Sequence, residues 1–256
     1  MTTLLIVGGT GEARALAARL DGTAGLRVVS SLAGAVARPR LPVGEVRVGG
    51  FGGPDGLARW LAEHAGGAVV DASHPFAARI SASCVTAAAA AGVPLLRLER
   101  PPWTASPGDD WHLVPDVGAA ADLLPRLLPD GGRSGCVLLT TGRRDLPAFY
   151  GVPDVSIVAR CVDPPVEPVP PQVEVLLDRG PYTVEGETGL FRSRGIDVLV
   201  TKNSGGSLTE AKLVAARSLR VPVVMVERPQ PTPGARPPAV VHDVEAAVAW
   251  VRALLP

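Results

Sequence analysis

The chain has 256 residues, with 25 Lys and Arg against 25 Asp and Glu, so no global field attracts nucleic acid or an anionic membrane surface. Hydrophobic residues make up 46% and aromatics only 4%, which calls for a core of Ala, Val and Leu, as where short buried strands alternate with close-packed helices. Cys84, Cys136 and Cys161 show no CxxC spacing, which argues against a disulfide framework or a metal site, and no apolar run reaches the roughly 18 residues of a membrane span, so the expectation is a cytoplasmic protein.

The first predicted element is the strand Leu4-Leu5-Ile6-Val7, followed by Gly8-Gly9-Thr10-Gly11-Glu12-Ala13-Arg14, a glycine turn that opens a helix. Glycines let a backbone approach a pyrophosphate, and the N–H groups and positive dipole end of the helix stabilise it. The turn departs from GxGxxG because Arg14 stands where the third glycine would be; the alternative is a turn that only permits tight strand–helix packing. The second strand, Arg27-Val28-Val29, runs into Ser30-Ser31-Leu32-Ala33-Gly34. A NAD site would usually place an acid there for the ribose 2′-hydroxyl. Serines, with Arg38 a little further on, suit a 2′-phosphate and hence NADPH; the alternative is that Arg38 is an ordinary surface charge. The strand Ala68-Val69-Val70-Asp71 leads into Ser73-His74-Pro75-Phe76 and a helix near Ala77. His74 there suits ligand contact, and proton donation near neutral pH is its second use.

The second half repeats this pattern in the same order. Val137-Leu138-Leu139-Thr140-Thr141-Gly142 matches the first strand and glycine turn, and a helix is expected after it. Asp197-Val198-Leu199-Val200-Thr201 with Lys202-Asn203-Ser204-Gly205-Gly206 matches the strand and turn at Asp71. Val93-Pro94 with Glu99-Arg100-Pro101 recurs as Val221-Pro222 with Glu227-Arg228-Pro229, and Asp116-Val117 recurs as Asp243-Val244. The ValPro…GluArgPro match is not generic, so duplication is the better reading. Short apolar strands, each followed by a helix, imply parallel sheets with right-handed crossovers, a doubly wound α/β architecture twice over. Ligands then bind outside the carboxyl ends of the strands, and two halves, residues 1–132 and 133–256, would bring their loops around one cleft. The proline-rich stretches 101–108 and 229–238, at about 3.1 Å per residue, span some 25 Å, enough to exchange the terminal elements between halves.

Cations cluster in the second-half loops: Arg143 and Arg144 after the first strand, Arg179 beside Tyr182 after a third apolar run, and Lys202 with Asn203, Ser204, Gly205 and Gly206. Such side chains near helix-starting N–H groups form receptors for carboxylates or phosphates. No HExxH, GxSxG or Walker lysine motif is present, which weakens hydrolase and triphosphatase readings.

Together Gly8-Gly9-Thr10 with Glu12 and Arg14, Ser30 to Gly34, Gly49-Gly50-Phe51-Gly52, Asp71-Ala72-Ser73-His74-Pro75-Phe76, Arg100-Pro101-Pro102-Trp103, Thr140 to Arg143, Arg179-Gly180-Pro181-Tyr182 and Val200 to Gly206 resemble the precorrin-6A reductase family over nearly the whole chain. The resemblance implies two Rossmann-like domains, the first holding NADPH, and reduction of one double bond of precorrin-6A to a dihydro-precorrin in vitamin B12 biosynthesis. It also implies that the nonstandard glycine turn is a cofactor turn. On this reading Gly8, Gly9, Thr10, Glu12, Arg14, Ser30, Ser31, Leu32, Ala33, Gly34, Arg38, Ser73 and His74 face the cofactor. The second-half loops, Arg143, Arg144, Arg179, Tyr182, Lys202, Asn203, Ser204, Gly205 and Gly206, hold the carboxylates of the macrocycle. His74 and Tyr182 are the candidate proton donors among the side chains, with water or a substrate carboxyl group as alternatives. Two rival readings stay open, a cofactor-free tetrapyrrole enzyme of the uroporphyrinogen-III synthase type and a non-catalytic two-domain anion-binding protein.

Overall fold

A computed structural model describes residues 1–34, 37–128, 134–230 and 238–255. It has two compact units, one of residues 1–101 with 230–256, the other of residues 102–229.

The first unit is built on β1 (Thr2–Val7), β2 (Leu26–Leu32), β3 (Glu45–Val48), β4 (Gly66–Asp71), β5 (Leu95–Leu98) and a last strand, β12 (Ala239–Val241), in the order β12-β5-β4-β1-β2-β3. Every neighbouring pair is parallel. In order of appearance within the unit this is 3-2-1-4-5-6 read from the β3 edge, the doubly wound dinucleotide-binding order. Alternation along β1 sends its side chains to two cores. Leu4 and Ile6 pack with Leu16 and Leu20 of α1 (Gly11–Leu20) and with Ala247, Val248 and Val251 of α7 (Val244–Arg252). Leu5 and Val7 pack with Leu57 and Leu61 of α2 (Pro54–Glu63) and with Cys84 and Ala87 of α3 (Ala78–Ala91). Helices therefore cover both faces, and the alanine-rich run of α3 fits close packing.

The second unit repeats the order with β6 (Trp111–Val114), β7 (Gly135–Leu139), β8 (Val155–Cys161), β9 (Val173–Leu177), β10 (Val198–Lys202) and β11 (Val223–Val226), arranged β6-β11-β10-β7-β8-β9. Its core holds Trp103, Leu138, Val158, Leu199, Met225, Phe191 of α5 (Val184–Arg194) and Leu213 of α6 (Ala211–Leu219). The duplication is visible in single hydrogen bonds. Glu99 N–H donates to the Val241 carbonyl and, in the other unit, Glu227 N–H to the Val114 carbonyl, both at 2.9 Å. Asp116 and Asp243 cap α4 (Val117–Leu127) and α7 alike, accepting from Ala119 N–H and Ala246 N–H.

Two expectations need correction. The split at 132/133 follows the repeat, but pairing decides where a strand belongs: β6 joins β11 of the second unit, and β12 joins β5 of the first. The terminal strand and helix of each half are thus exchanged, through 101–108 on one side and a stretch including 231–237, outside the described residues, on the other. The helix expected after Gly142 is a single 3-10 turn, Leu146–Phe149. Its segment carries Pro147, Gly151 and Pro153, whereas α1, Gly-Glu-Ala-Arg-Ala-Leu-Ala-Ala-Arg-Leu, has no breaker after its first residue.

Candidate functional site

In the first unit the strand order reverses between β1 and β4, and the crevice outside their carboxyl ends is the expected ligand position of such sheets. Two turns meet there. Gly8 has φ +129°, and a Cβ on it would lie 2.5 Å from the Ala72 carbonyl oxygen, so only glycine lets the β1–α1 turn approach the end of β4 this closely. Thr10 closes the junction: its hydroxyl donates to the Ala72 carbonyl at 2.8 Å and accepts from Ala13 N–H at 3.1 Å as the cap of α1. Arg14 Nη1 donates to the Gly9 carbonyl at 2.8 Å and braces the turn at the surface. Arg14 N–H, bonded to the Thr10 carbonyl, is the first helical N–H to reach a carbonyl of the helix; the N–H groups of Gly11 and Glu12 come before it and face out of the helix N-terminus, where an anion is favoured. A pyrophosphate fits this cradle by its chemistry: glycine backbone, outward N–H groups and the positive end of a ten-residue helix.

The other first-unit residues distribute as follows. The Glu12 carboxylate pairs with Arg100 at 3.1 Å. Ser30 and Ser31 are buried at 1% and 3% exposure, and the Ser30 hydroxyl has no partner among the described residues. Leu32 is buried while Ala33 and Gly34 emerge at the surface, and Arg38 lies on an exposed bend. Ser73 is buried, its N–H donating to Asp71 Oδ1 at 3.0 Å. Asp71, at 3% exposure, is in turn held by Arg97 at 2.9 Å, and Arg97 also binds Glu99. Burial opposes the Arg97 charge, but Glu99 and Asp71 outweigh it and raise its pKa. His74 is exposed and its Nδ1 accepts from Phe76 N–H at 3.2 Å, which in the neutral ring assigns the proton to Nε2.

In the second unit Thr140 N–H bonds the Val200 carbonyl, tying the β7 turn to β10, and Gly142 sits at φ +100°. Lys202, the last residue of β10, pairs with Asp145 of that turn at 2.6 Å. Arg143 Nη1 donates to the Pro164 carbonyl, and Arg144 is exposed. The Asn203 side chain is spent on structure: Oδ1 accepts from Trp103 N–H at 2.8 Å and Nδ2 donates to the Trp103 carbonyl at 3.0 Å. Gly205 and Gly206 turn at positive φ, the Gly206 carbonyl accepting the Trp103 indole N–H. The Ser204 and Asn203 carbonyls receive Arg228. Tyr182 follows Arg179 and lies with its ring 4.0 Å under the Arg160 guanidinium, which pairs with Glu187 at 2.5 Å in a buried ion pair. Burial raises the Tyr182 pKa while Arg160 pulls it down, and the net rise keeps the phenol protonated at neutral pH.

Sequence reasoning missed Arg47, Arg160 and Glu187. Arg47 had a visible signal, standing just before the Gly49-Gly50-Phe51-Gly52 motif. The other two, 27 residues apart, had none.

The strand order, the switch-point crevice and the glycine turn define a doubly wound, Rossmann-like α/β protein made of two such units. The chain belongs to the precorrin-6x reductase CbiJ/CobK family, whose profile matches residues 3–252, and is an oxidoreductase. A precorrin-6A reductase of Rhodococcus erythropolis is 52% identical over 254 residues, covering 99% of both chains. One of Mycobacterium tuberculosis is 43% identical, also over 99% of both. A cobalt-precorrin-6A reductase of Priestia megaterium is 32% identical over 89% of this chain and 91% of its own. The solved structure of a CobK precorrin-6A reductase matches with a TM-score of 0.89 at 42% identity, over 99% of this chain and 97% of that one. Among the described residues no helix is long and apolar enough to cross a membrane, and no cluster of three or more His, Cys, Asp or Glu is arranged to hold a metal.

Proposed function

We propose that the chain reduces one double bond of precorrin-6A at the expense of NADPH in cobalamin biosynthesis, the first unit taking the cofactor and the second the carboxylates of the macrocycle. The observation that carries the division of labour is an asymmetry between duplicated turns. After β1 the glycine turn opens a ten-residue helix, while after β7 the equivalent turn opens only a four-residue 3-10 helix, too short for a useful macrodipole. The chemistry such a cofactor supplies when bound is a hydride. The protein's part is to hold the pyrophosphate at Gly8, Gly9 and the α1 N-terminus, with Thr10 and Arg14 keeping the turn in shape. Lys202, Arg143, Arg144 and Arg179 orient substrate acetates and propionates by charge-assisted hydrogen bonds. Tyr182, a phenol at neutral pH, and His74, whose Nδ1 accepts from Phe76 N–H, are the side chains proposed to supply the proton. The relatives named for precorrin-6A in R. erythropolis and M. tuberculosis resemble the chain more than the P. megaterium one named for the cobalt form, which supports a metal-free substrate.

The test is to mix enzyme, NADPH and precorrin-6A and follow loss of the nicotinamide absorbance. Stoichiometric oxidation with formation of a dihydro-precorrin is expected. Macrocycle conversion without NADPH oxidation would favour a cofactor-free tetrapyrrole enzyme, and binding of the macrocycle with no conversion an anion-binding protein.

A further inference from the structure

We infer that Arg47, at the carboxyl end of β3, reads the 2′-phosphate of the dinucleotide and sets the preference for NADPH over NADH; this rests on the cofactor reading above. The first observation is placement. β3 is the outer neighbour of β2, with Ser31 opposite Arg47 in the ladder, and Arg47 Nη1 reaches the Ser31 hydroxyl at 3.2 Å. That is the strand end where sheets of this order bind the adenosine ribose.

The second observation is charge without a counter-charge. Arg47 Nη1 also donates to the Gly49 carbonyl at 2.6 Å and Nη2 to the Gly50 carbonyl at 2.9 Å. All three partners are neutral, and among the described residues no carboxylate pairs with this half-buried cation; burial lowers its pKa with no acid opposing. Glu45, at the start of the same strand, is occupied by Arg27. By contrast Arg97, Arg100, Arg160 and Arg217, also partly or fully buried, each have a carboxylate. A guanidinium has five N–H groups, so three bonds leave Nε–H and one Nη2–H, enough for two phosphate oxygens.

The third observation is preorganisation. The guanidinium lies 3.7 Å over the Phe51 ring, and Phe51 meets Trp60 of α2 edge to face. A cation already fixed by an aromatic face and two carbonyls loses little entropy when a phosphate arrives. Arg38, the cation expected from sequence to serve here, sits on an exposed bend, where charge contacts are screened and weak.

The experiment is calorimetric titration of wild type, Arg47→Ala, Arg47→Lys and Arg38→Ala with NADPH and NADH. Arg47→Ala is expected to weaken NADPH by about ten- to hundredfold, the range of one charge-assisted contact, with NADH changed by less than about twofold. Arg47→Lys, which keeps the charge but not the fork, falls between, and Arg38→Ala stays within about threefold of wild type for both. Equal loss of both dinucleotides in the Arg47 variants, or no loss of NADPH, overturns the assignment while leaving the cofactor reading intact. Wild type that binds neither dinucleotide overturns the cofactor reading and the assignment with it.

Discussion

Gly8 shows how much a single residue decides here. Its φ of +129° and the 2.5 Å that a Cβ would leave to the Ala72 oxygen are two independent reasons why an alanine fails. Strain alone costs about 1–3 kcal/mol, and relief by moving the turn withdraws it from β4. Gly8→Ala is therefore expected to lower the unfolding temperature and to weaken NADPH at least about tenfold, roughly 1.4 kcal/mol, by thermal melts and titration. Wild-type values in both would show that the close approach has no role. Gly8 was legible because its signal is local: strand, glycines and helix start lie within ten residues. Glu12 and Asn203 carried no comparable signal. In sequence both are polar residues in promising loops, yet their partners, Arg100 and Trp103, are 88 and 100 residues away, and a side chain satisfied at that range leaves no mark on its neighbours.

At the level of elements, strand assignments from apolar runs held, since a parallel strand covered on both faces must be apolar throughout. The failure was the helix after Gly142, where prolines and a glycine outweighed the analogy with α1. Helix α5 depends instead on a contact between elements. Arg160 of β8 and Glu187 of α5 are 5% and 1% exposed and pair inside the second unit, with one Glu187 oxygen left without a partner among the described residues. Removing one member strands the other charge in a medium that solvates it poorly. Glu187→Gln is expected to cost about 3–5 kcal/mol in urea unfolding, whereas Arg160→Met with Glu187→Leu, an apolar pair of similar bulk, recovers most of it. A single variant as stable as wild type would mean that water reaches the pair. Tyr182, stacked on Arg160, is expected to lose its fixed ring environment in Glu187→Gln.

For the whole molecule, the duplication was readable from ValPro…GluArgPro and Asp-Val matches, but the exchange was readable only as an option. A linker's composition tells how far it reaches, not in which direction, and the division at 132/133 failed for that reason. The pairing of β12 with β5 and of β6 with β11 makes a sharp prediction for fragments. Residues 1–132 lack β12 and α7, leaving the α1 and β5 side of the first core without Ala247, Val248 and Val251, and are expected to show no cooperative melt. Residues 102–229 hold all six strands of the second unit and are expected to unfold cooperatively by circular dichroism. A cooperative melt for 1–132 would mean that the sixth strand and α7 are dispensable.

The exchange also sets an order of events during synthesis. Chains usually fold from the N-terminal domain onward as they leave the ribosome. Here residues 239–255 are translated after all of 102–229, so the unit begun first is finished last. While the ribosome builds the second unit, the first waits with an open edge at β5 and an uncovered apolar stripe on α1, and in that interval the nascent chain has most need of a chaperone.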